Sequence, residues 1–227
     1  IVAPDYPLEK AAHSIAFGKF LNAGQTCIAP DYALVPAEKA EAFCRAVITR
    51  AENAYPQIAD NGDYSAVLGE GHRARLRSLL AEAVAAGATA FTHGAPGIDP
   101  ARLAPTVVLG APLDGRLMTE EIFGPILPVV PYATLDEAIA FVAARPRPLA
   151  LYLFSHDKAG QEAVLSHATS GGVTLNATLL HIAQDDLPFG GIGPSGMGAY
   201  HGPEGFLRLS HARAVYRAGP LNVFERM

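Results

Sequence analysis

Apolar residues along this chain recur with two periods, and the periods take turns. Over 8–23, Ala12, Ile15, Ala16 and Phe20 fall at helical spacing, and Gly24 stands where a C-terminal cap would. Tyr32-Ala-Leu-Val35 is a short apolar run stopped by Pro36, which reads as a strand. Helices are predicted over 38–54, with Phe43, Val47, Ile48 and Ala51 on one face, and over 72–86, ended by Gly87. The segment 57–71 between them is a polar loop rich in Asp, Asn and Gly. Further strands are predicted at 88–92, 103–109, 127–131, 149–154 and 172–176, with helices at 135–144 and 158–168. The strands are continuously apolar, as strands buried on both faces should be, and they alternate with helices. The fold class is therefore α/β, a three-layer domain around a parallel sheet. From Tyr200 the pattern stops repeating. The reading is a domain over 1–199 and a C-terminal tail over 200–227, in which Ala212 to Arg217 is a candidate edge strand for pairing with another subunit.

Composition narrows the class. The 227 residues suit one large domain with a short appendage. Half of them are hydrophobic and 17% charged, enough for a sizeable core. A net charge of −5 argues against nucleic acid as a partner. No apolar run approaches the roughly 18 residues that a membrane span needs, and Ile1-Val-Ala-Pro-Asp-Tyr6 lacks the layout of a signal peptide. Two cysteines, Cys27 and Cys44, make no disulfide framework, so a cytoplasmic location is expected. The 22 glycines and 18 prolines cluster at Gly94-Ala-Pro-Gly97, Arg145-Pro-Arg-Pro148 and Pro188 to Gly198.

Three segments are candidates for chemistry. In Gly24-Gln-Thr-Cys-Ile-Ala-Pro30 a cysteine follows a helix in a glycine-led turn that Pro30 prevents from continuing as helix. Cys27 is there either a nucleophile or a small buried hydrophobe. A helix C-terminus carries about −0.5 charge, which disfavours a thiolate, so a nucleophile at this place needs help from elsewhere in the fold. Cys44, mid-helix between Phe43 and Val47, reads as core. In Glu120-Glu-Ile-Phe-Gly-Pro125 an acid and a ring precede a break, which either aims both into one cleft or makes a solvated turn. Gly191-Ile-Gly-Pro-Ser-Gly196 matches G-x-G-x-x-G literally, but Pro194 and the further Gly198 fit an extended loop, and close approach to a ligand is the expected use of its glycines. The histidines and cysteines show no metal-ligand spacing. A Cys–His dyad with His181 or His201 is compatible with the sequence, and the spacing selects neither.

Five ordered blocks carry a resemblance over nearly the whole chain. They are Phe20-Leu-Asn-Ala-Gly-Gln-Thr-Cys-Ile-Ala-Pro-Asp-Tyr32, Glu120-Glu-Ile-Phe-Gly-Pro125, Pro148-Leu-Ala-Leu-Tyr-Leu-Phe-Ser155, Gly171-Gly-Val-Thr-Leu-Asn176 and Leu187 to Gly202. Together they resemble the aldehyde dehydrogenase superfamily, in its class 3 and coniferyl aldehyde dehydrogenase branch. The resemblance implies an oxidoreductase that converts an aldehyde to a carboxylic acid with NAD or NADP. Cys27 matches the nucleophile, which forms a thiohemiacetal and then a thioester, with its own backbone N–H helping to hold the oxyanion. Glu121 matches the acid that binds the nicotinamide ribose hydroxyls, and Phe123 the ring beside the nicotinamide. Asn176 matches a structural asparagine near the pocket. Thr178, Leu179, His181, Ile182 and Phe189 match positions that shape the substrate pocket. A homodimer or self-associating chain is expected.

The family's general-base glutamate lies in a Glu-Leu-Gly-Gly-Lys block just upstream of a stretch like Ile1 to Tyr6. An asparagine of the oxyanion hole and the dinucleotide-binding domain also lie outside this chain, which reads as the catalytic portion alone. Little or no aldehyde turnover is expected from it in isolation, together with exposed apolar surface. Two other readings share the fold: a non-catalytic assembly module that pairs through the tail, and a Cys-dependent esterase or acyltransferase without nicotinamide.

Overall fold

The computed structural model describes residues 1–94 and 101–220. Most of the Gly94-Ala-Pro-Gly97 turn and the end of the expected tail, 221–227, lie outside the described residues. The elements in order are α1 (Leu8–Phe20), β1 (Ala33–Pro36), α2 (Ala40–Ala54), α3 (Glu70–Ala85), β2 (Thr89–Thr92), β3 (Thr106–Leu109), α4 (Arg116–Thr119), β4 (Ile126–Tyr132), α5 (Leu135–Ala143), β5 (Ala150–Leu153), α6 (Lys158–His167), β6 (Gly172–Leu175) and α7 (Gly202–Arg208).

Two sheets form, in the orders β1-β4-β3-β2 and β5-β6. All pairings are parallel except β2 with β3, so the parallel expectation fails at one edge. The link between β2 and β3 contains no helix among its described residues, and an antiparallel pair needs no crossover. Residues 1–3 join the two sheets. The Val2 amide donates to Leu34 O at 2.9 Å and the Ala3 amide to Phe154 O at 2.8 Å, while Phe154 N–H donates to Ile1 O at 2.9 Å. Val2 thereby bridges Phe154 in parallel and seams β1 to β5.

The continuous apolarity of the strands follows from cover on both faces. Val35, Val107, Leu127 and Val129 pack with α1 and α2 in one cluster. Their neighbours point the other way: Val108 and Ile126 join Leu76 and Leu79 of α3, and Leu34 and Val130 join Ile139 and Val142 of α5. Burying one Val or Leu side chain stabilises by about 1.5–3 kcal/mol, so both layers matter. At its N-terminus α5 carries a Thr134–Glu137 cap, in which Thr134 Oγ1 accepts from Glu137 N–H at 3.3 Å. Asp157 caps α6 by accepting from the amides of Ala159 and Gly160 at 3.2 and 3.0 Å.

One expectation changes: the helix predicted over 8–23 ends at Phe20 and gives way to a 3-10 turn, Leu21–Gly24. Ala212 to Arg217, expected to pair with another subunit, is exposed and pairs with no strand among the described residues. Sequence periodicity also missed α4 and α7, each too short to show it.

Candidate active site

The cysteine loop begins with a run of left-handed backbone. Asn22 and Ala23 both have φ 52°, and Gly24 has φ +76°. Asparagine and glycine tolerate this region, whereas alanine holds it only against strain. The run turns the chain off the axis of α1, and Cys27 emerges exposed. Two anchors fix the loop around it. The Gln25 side chain donates to Asn22 O and Ala66 O at 3.0 Å and accepts from Leu68 N–H at 2.9 Å. One residue past Cys27, Ile28 is buried, and its carbonyl accepts the Tyr152 hydroxyl at 2.7 Å. The buried-hydrophobe reading thus fits Cys44, which is wholly buried, and not Cys27. Burial pushes the Cys44 thiol up to about 12.

The acidic segment lies against this loop. A Cβ placed on Gly24 would come 2.2 Å from Gly124 O, so the two backbones touch where only glycine fits. Ile122 is wholly buried, and both its N–H and its carbonyl are held. Its N–H donates to Asp31 Oδ1 at 3.2 Å, and its carbonyl accepts from Arg75 at 2.7 Å. Nε2 of His72 lies 2.7 Å from Phe123 O, and Phe123 adopts φ 50°. Glu120 is taken up by ion pairs with Arg116 at 2.7 Å and Arg75 at 3.3 Å, which hold its carboxyl below the usual carboxylate range. The neighbours on either side of Ile122, Glu121 and Phe123, are left exposed.

Cys27, Glu121 and Phe123 line one cavity of about 480 Å³, together with Arg147, Pro148 and Ser195. The six other expected pocket residues do not line it among the described residues. Asn176 Oδ1 accepts the Ser155 amide at 2.9 Å. Thr178 donates to Ser14 O at 2.8 Å and packs where a Cβ on Gly18 would come 2.5 Å from its Oγ1. His181 Nδ1 lies 2.8 Å from Thr174 Oγ1, and its ring is 5.8 Å from that of Phe189. Leu179 is buried and Ile182 partly buried against the core. Leu179 and Phe189 share a buried cluster with Tyr152, whose ring lies 6.0 Å from that of His181 and which meets the Leu179 backbone as well as Ile28 O. Burial raises the Tyr152 phenol above its ordinary range, and the Cys27 charge adds to this.

The glycines of 190–198 let the loop fold closely on itself, while its Pro194 and Ser195 line the Cys27 cavity. A Cβ on Gly190 would meet Gly198 O at 2.0 Å, and one on Gly191 would meet Ser195 O at 2.1 Å. The loop folds on its own backbone, with bridges Phe189–Tyr200 and Gly193–Gly196. It opens no helix at Gly196, which agrees with rejecting it as a phosphate cradle.

The donor set suits one end of a nicotinamide cofactor. An exposed carboxylate at Glu121 is an acceptor for a vicinal diol, and the Phe123 ring beside it is a flat apolar surface. Gln25, Asp31, His72, Arg75 and Tyr152 also position the site, though the sequence singled out none of them. Arg75 and His72 lie 47 and 51 positions from the carbonyls they hold, a distance no local pattern spans.

An exposed cysteine, a carboxylate and a ring thus share one cleft of a doubly covered α/β sheet. The chain matches the aldehyde dehydrogenase family over residues 1–215, and it belongs to that family. Among its relatives, a protein of Pseudomonas aeruginosa named "Probable coniferyl aldehyde dehydrogenase" is 52% identical over 216 residues, which cover 95% of this chain and 45% of the relative. A protein of the same name from Caulobacter vibrioides is 47% identical over 212 residues, 91% of this chain and 44% of the relative. A solved structure described as the substrate-bound state of Staphylococcus aureus AldH superposes with a TM-score of 0.87 at 39% identity, covering 97% of this chain and 48% of that one. The chain spans about half the length of the curated relatives it matches. Among the described residues no helix is long and apolar enough to cross a membrane.

Proposed function

We propose that this chain is the nucleophile-bearing portion of an NAD(P)-dependent aldehyde dehydrogenase that oxidises an aldehyde to the carboxylic acid. The observation that carries the reading is the exposed Cys27 sharing one cavity with Glu121 and Phe123. The Cys27 sulfur attacks the aldehyde carbon to give a thiohemiacetal, and its backbone N–H stabilises the oxyanion. Glu121 and Phe123 would hold the nicotinamide end of a bound NAD(P), the carboxylate accepting hydrogen bonds from its ribose hydroxyls and the ring flanking it; so held, the cofactor would supply the acceptor for the hydride that leaves this carbon, and a thioester would remain on Cys27. Water then releases the acid and restores the thiol. An aromatic aldehyde of the coniferyl kind is the substrate class suggested by the relatives' names, and the segment from Thr178 to Ile182 with Phe189 would shape its pocket.

Hydrolysis of the thioester needs a general base. By resemblance that role falls to a glutamate of a Glu-Leu-Gly-Gly-Lys block, which these 227 residues do not contain, and slow or no turnover is the expected behaviour of these residues alone. Residues 1–199 form the catalytic domain and 200–227 the tail. Phe206, Leu209 and Tyr216, 73%, 93% and 91% exposed, give the tail an apolar surface suited to homodimer formation. The unpaired cysteines suit the cytoplasm.

The test is to treat the chain and its Cys27→Ala variant with an activated aryl ester, read the intact mass, and follow nicotinamide reduction with an aromatic aldehyde. The expected result is a persistent acyl adduct on Cys27 only, with little reduction. Steady, Cys27-dependent ester turnover that ignores added NAD overturns the dehydrogenase reading in favour of a hydrolase. Absence of the adduct overturns Cys27 as the nucleophile. Rapid Cys27-dependent aldehyde oxidation overturns the expectation of slow turnover by these residues alone.

A further inference from the structure

Lys19 is wholly buried near the end of α1, and its Nζ has no hydrogen-bond partner among the described residues. An ammonium held this way is costly unless it serves another group. Its ion-pair partner is Asp31, whose Oδ1 lies 3.9 Å away, beyond hydrogen-bond reach. That same oxygen accepts the Ile122 amide at 3.2 Å. Asp31 therefore stands between a buried cation and the N–H of Ile122, the residue flanked by Glu121 and Phe123.

We propose that Lys19 is a positioning residue for Glu121 and Phe123, acting through Asp31: the buried ammonium fixes the Asp31 carboxylate, and the carboxylate holds Ile122 N–H. The meaning of this for catalysis rests on the reading of Glu121 and Phe123 as cofactor contacts, whereas the mechanical coupling stands without it.

The electrostatics agree. Burial pushes the Asp31 carboxyl up, and the Lys19 ammonium is the first of the influences that oppose this, ahead of the Ile122 amide and the Arg75 guanidinium. Burial draws Lys19 itself down to about 8, against the pull of Asp31 and Glu121. The Tyr32 phenol, raised by burial, also senses Asp31. Arg75 holds the Ile122 carbonyl at 2.7 Å, and the arm proposed to depend on pH is Lys19–Asp31.

The experiment is a pH titration by NMR, following the Lys19 Cε signal together with the Ile122 and Phe123 amides. In the wild-type chain, both amides should shift with the midpoint of Lys19 deprotonation. In Lys19→Met the shift should vanish and Ile122 amide exchange should accelerate about tenfold or more, while core amides of β4 stay protected. Lys19 deprotonation with no response at Ile122 overturns the proposal from the wild type alone, whether or not the variant folds. Unchanged Ile122 exchange in a folded Lys19→Met protein does the same. Neither result bears on the Cys27 adduct, so failure of the clamp and failure of the functional reading are told apart.

Discussion

At the residue scale the two cysteines form an internal control. Cys27 stands exposed between the Gln25 and Ile28 anchors, and Cys44 is wholly buried with its thiol pushed up to about 12. Because the thiolate is the reacting species, iodoacetamide at neutral pH should modify Cys27 about a hundredfold faster than Cys44 or more, as measured by peptide mass spectrometry over time. Comparable rates would contradict the exposed loop. The sequence made Cys44 legible as core because helix periodicity reports burial directly. It left Cys27 open because exposure there depends on Asn22 and Ala23 entering left-handed backbone, which in alanine's case runs against intrinsic preference.

At the element scale the site is a contact between two loops. The cysteine turn lies on the 120–125 segment at Gly24, where a side chain has no room. Gly24→Ala combines φ +76° with a Cβ 2.2 Å from Gly124 O. It should cost about 3 kcal/mol or more in denaturant unfolding, because steric overlap adds to backbone strain. Gly62→Ala, in open space, is the control and should change stability by less than about 0.5 kcal/mol. Most helices and strands were legible within a few residues, since β4 or α2 carries its pattern in consecutive residues. The direction of β2 was not, because an edge strand's orientation is set by its partner and not by its own side chains. The 188–198 loop was read correctly as irregular, but a string of glycines reads the same whether it meets a ligand or, as at Gly190 and Gly191, its own backbone. The resemblance named Thr178 and His181 as pocket residues, neither of which lines the Cys27 cavity; their attachments, to Ser14 and Thr174, are tertiary and left no mark in the sequence.

At the scale of the whole molecule, Lys19 makes stability depend on pH in a distinctive way. Its pKa is about 8 when folded and 10.5 in the reference state, so between these values the unfolded chain binds more protons. Stability from this group therefore rises with pH across that window, and below it the full cost of burying the charge applies. The unfolding free energy of the wild type relative to Lys19→Met should increase by about 3 kcal/mol from pH 7 to pH 10.5, the equivalent of the shift at 1.36 kcal/mol per unit. Taking the difference removes the titration of Cys44 and the buried tyrosines, which both proteins share. Urea unfolding at several pH values measures this, and a flat difference would show that Lys19 reaches water.

The three-residue seam between β1 and β5 has a kinetic consequence. Val2 must find Phe154 after more than 150 positions of intervening chain, whereas β3 and β4 close a much shorter loop. Loop closure has to precede the reward of such a contact, so the order of assembly follows from chain topology. The β1–β4 sheet and the β5–β6 pair should acquire protection as separate units, and the Val2 and Phe154 amides last, when the two halves of the sheet register against each other.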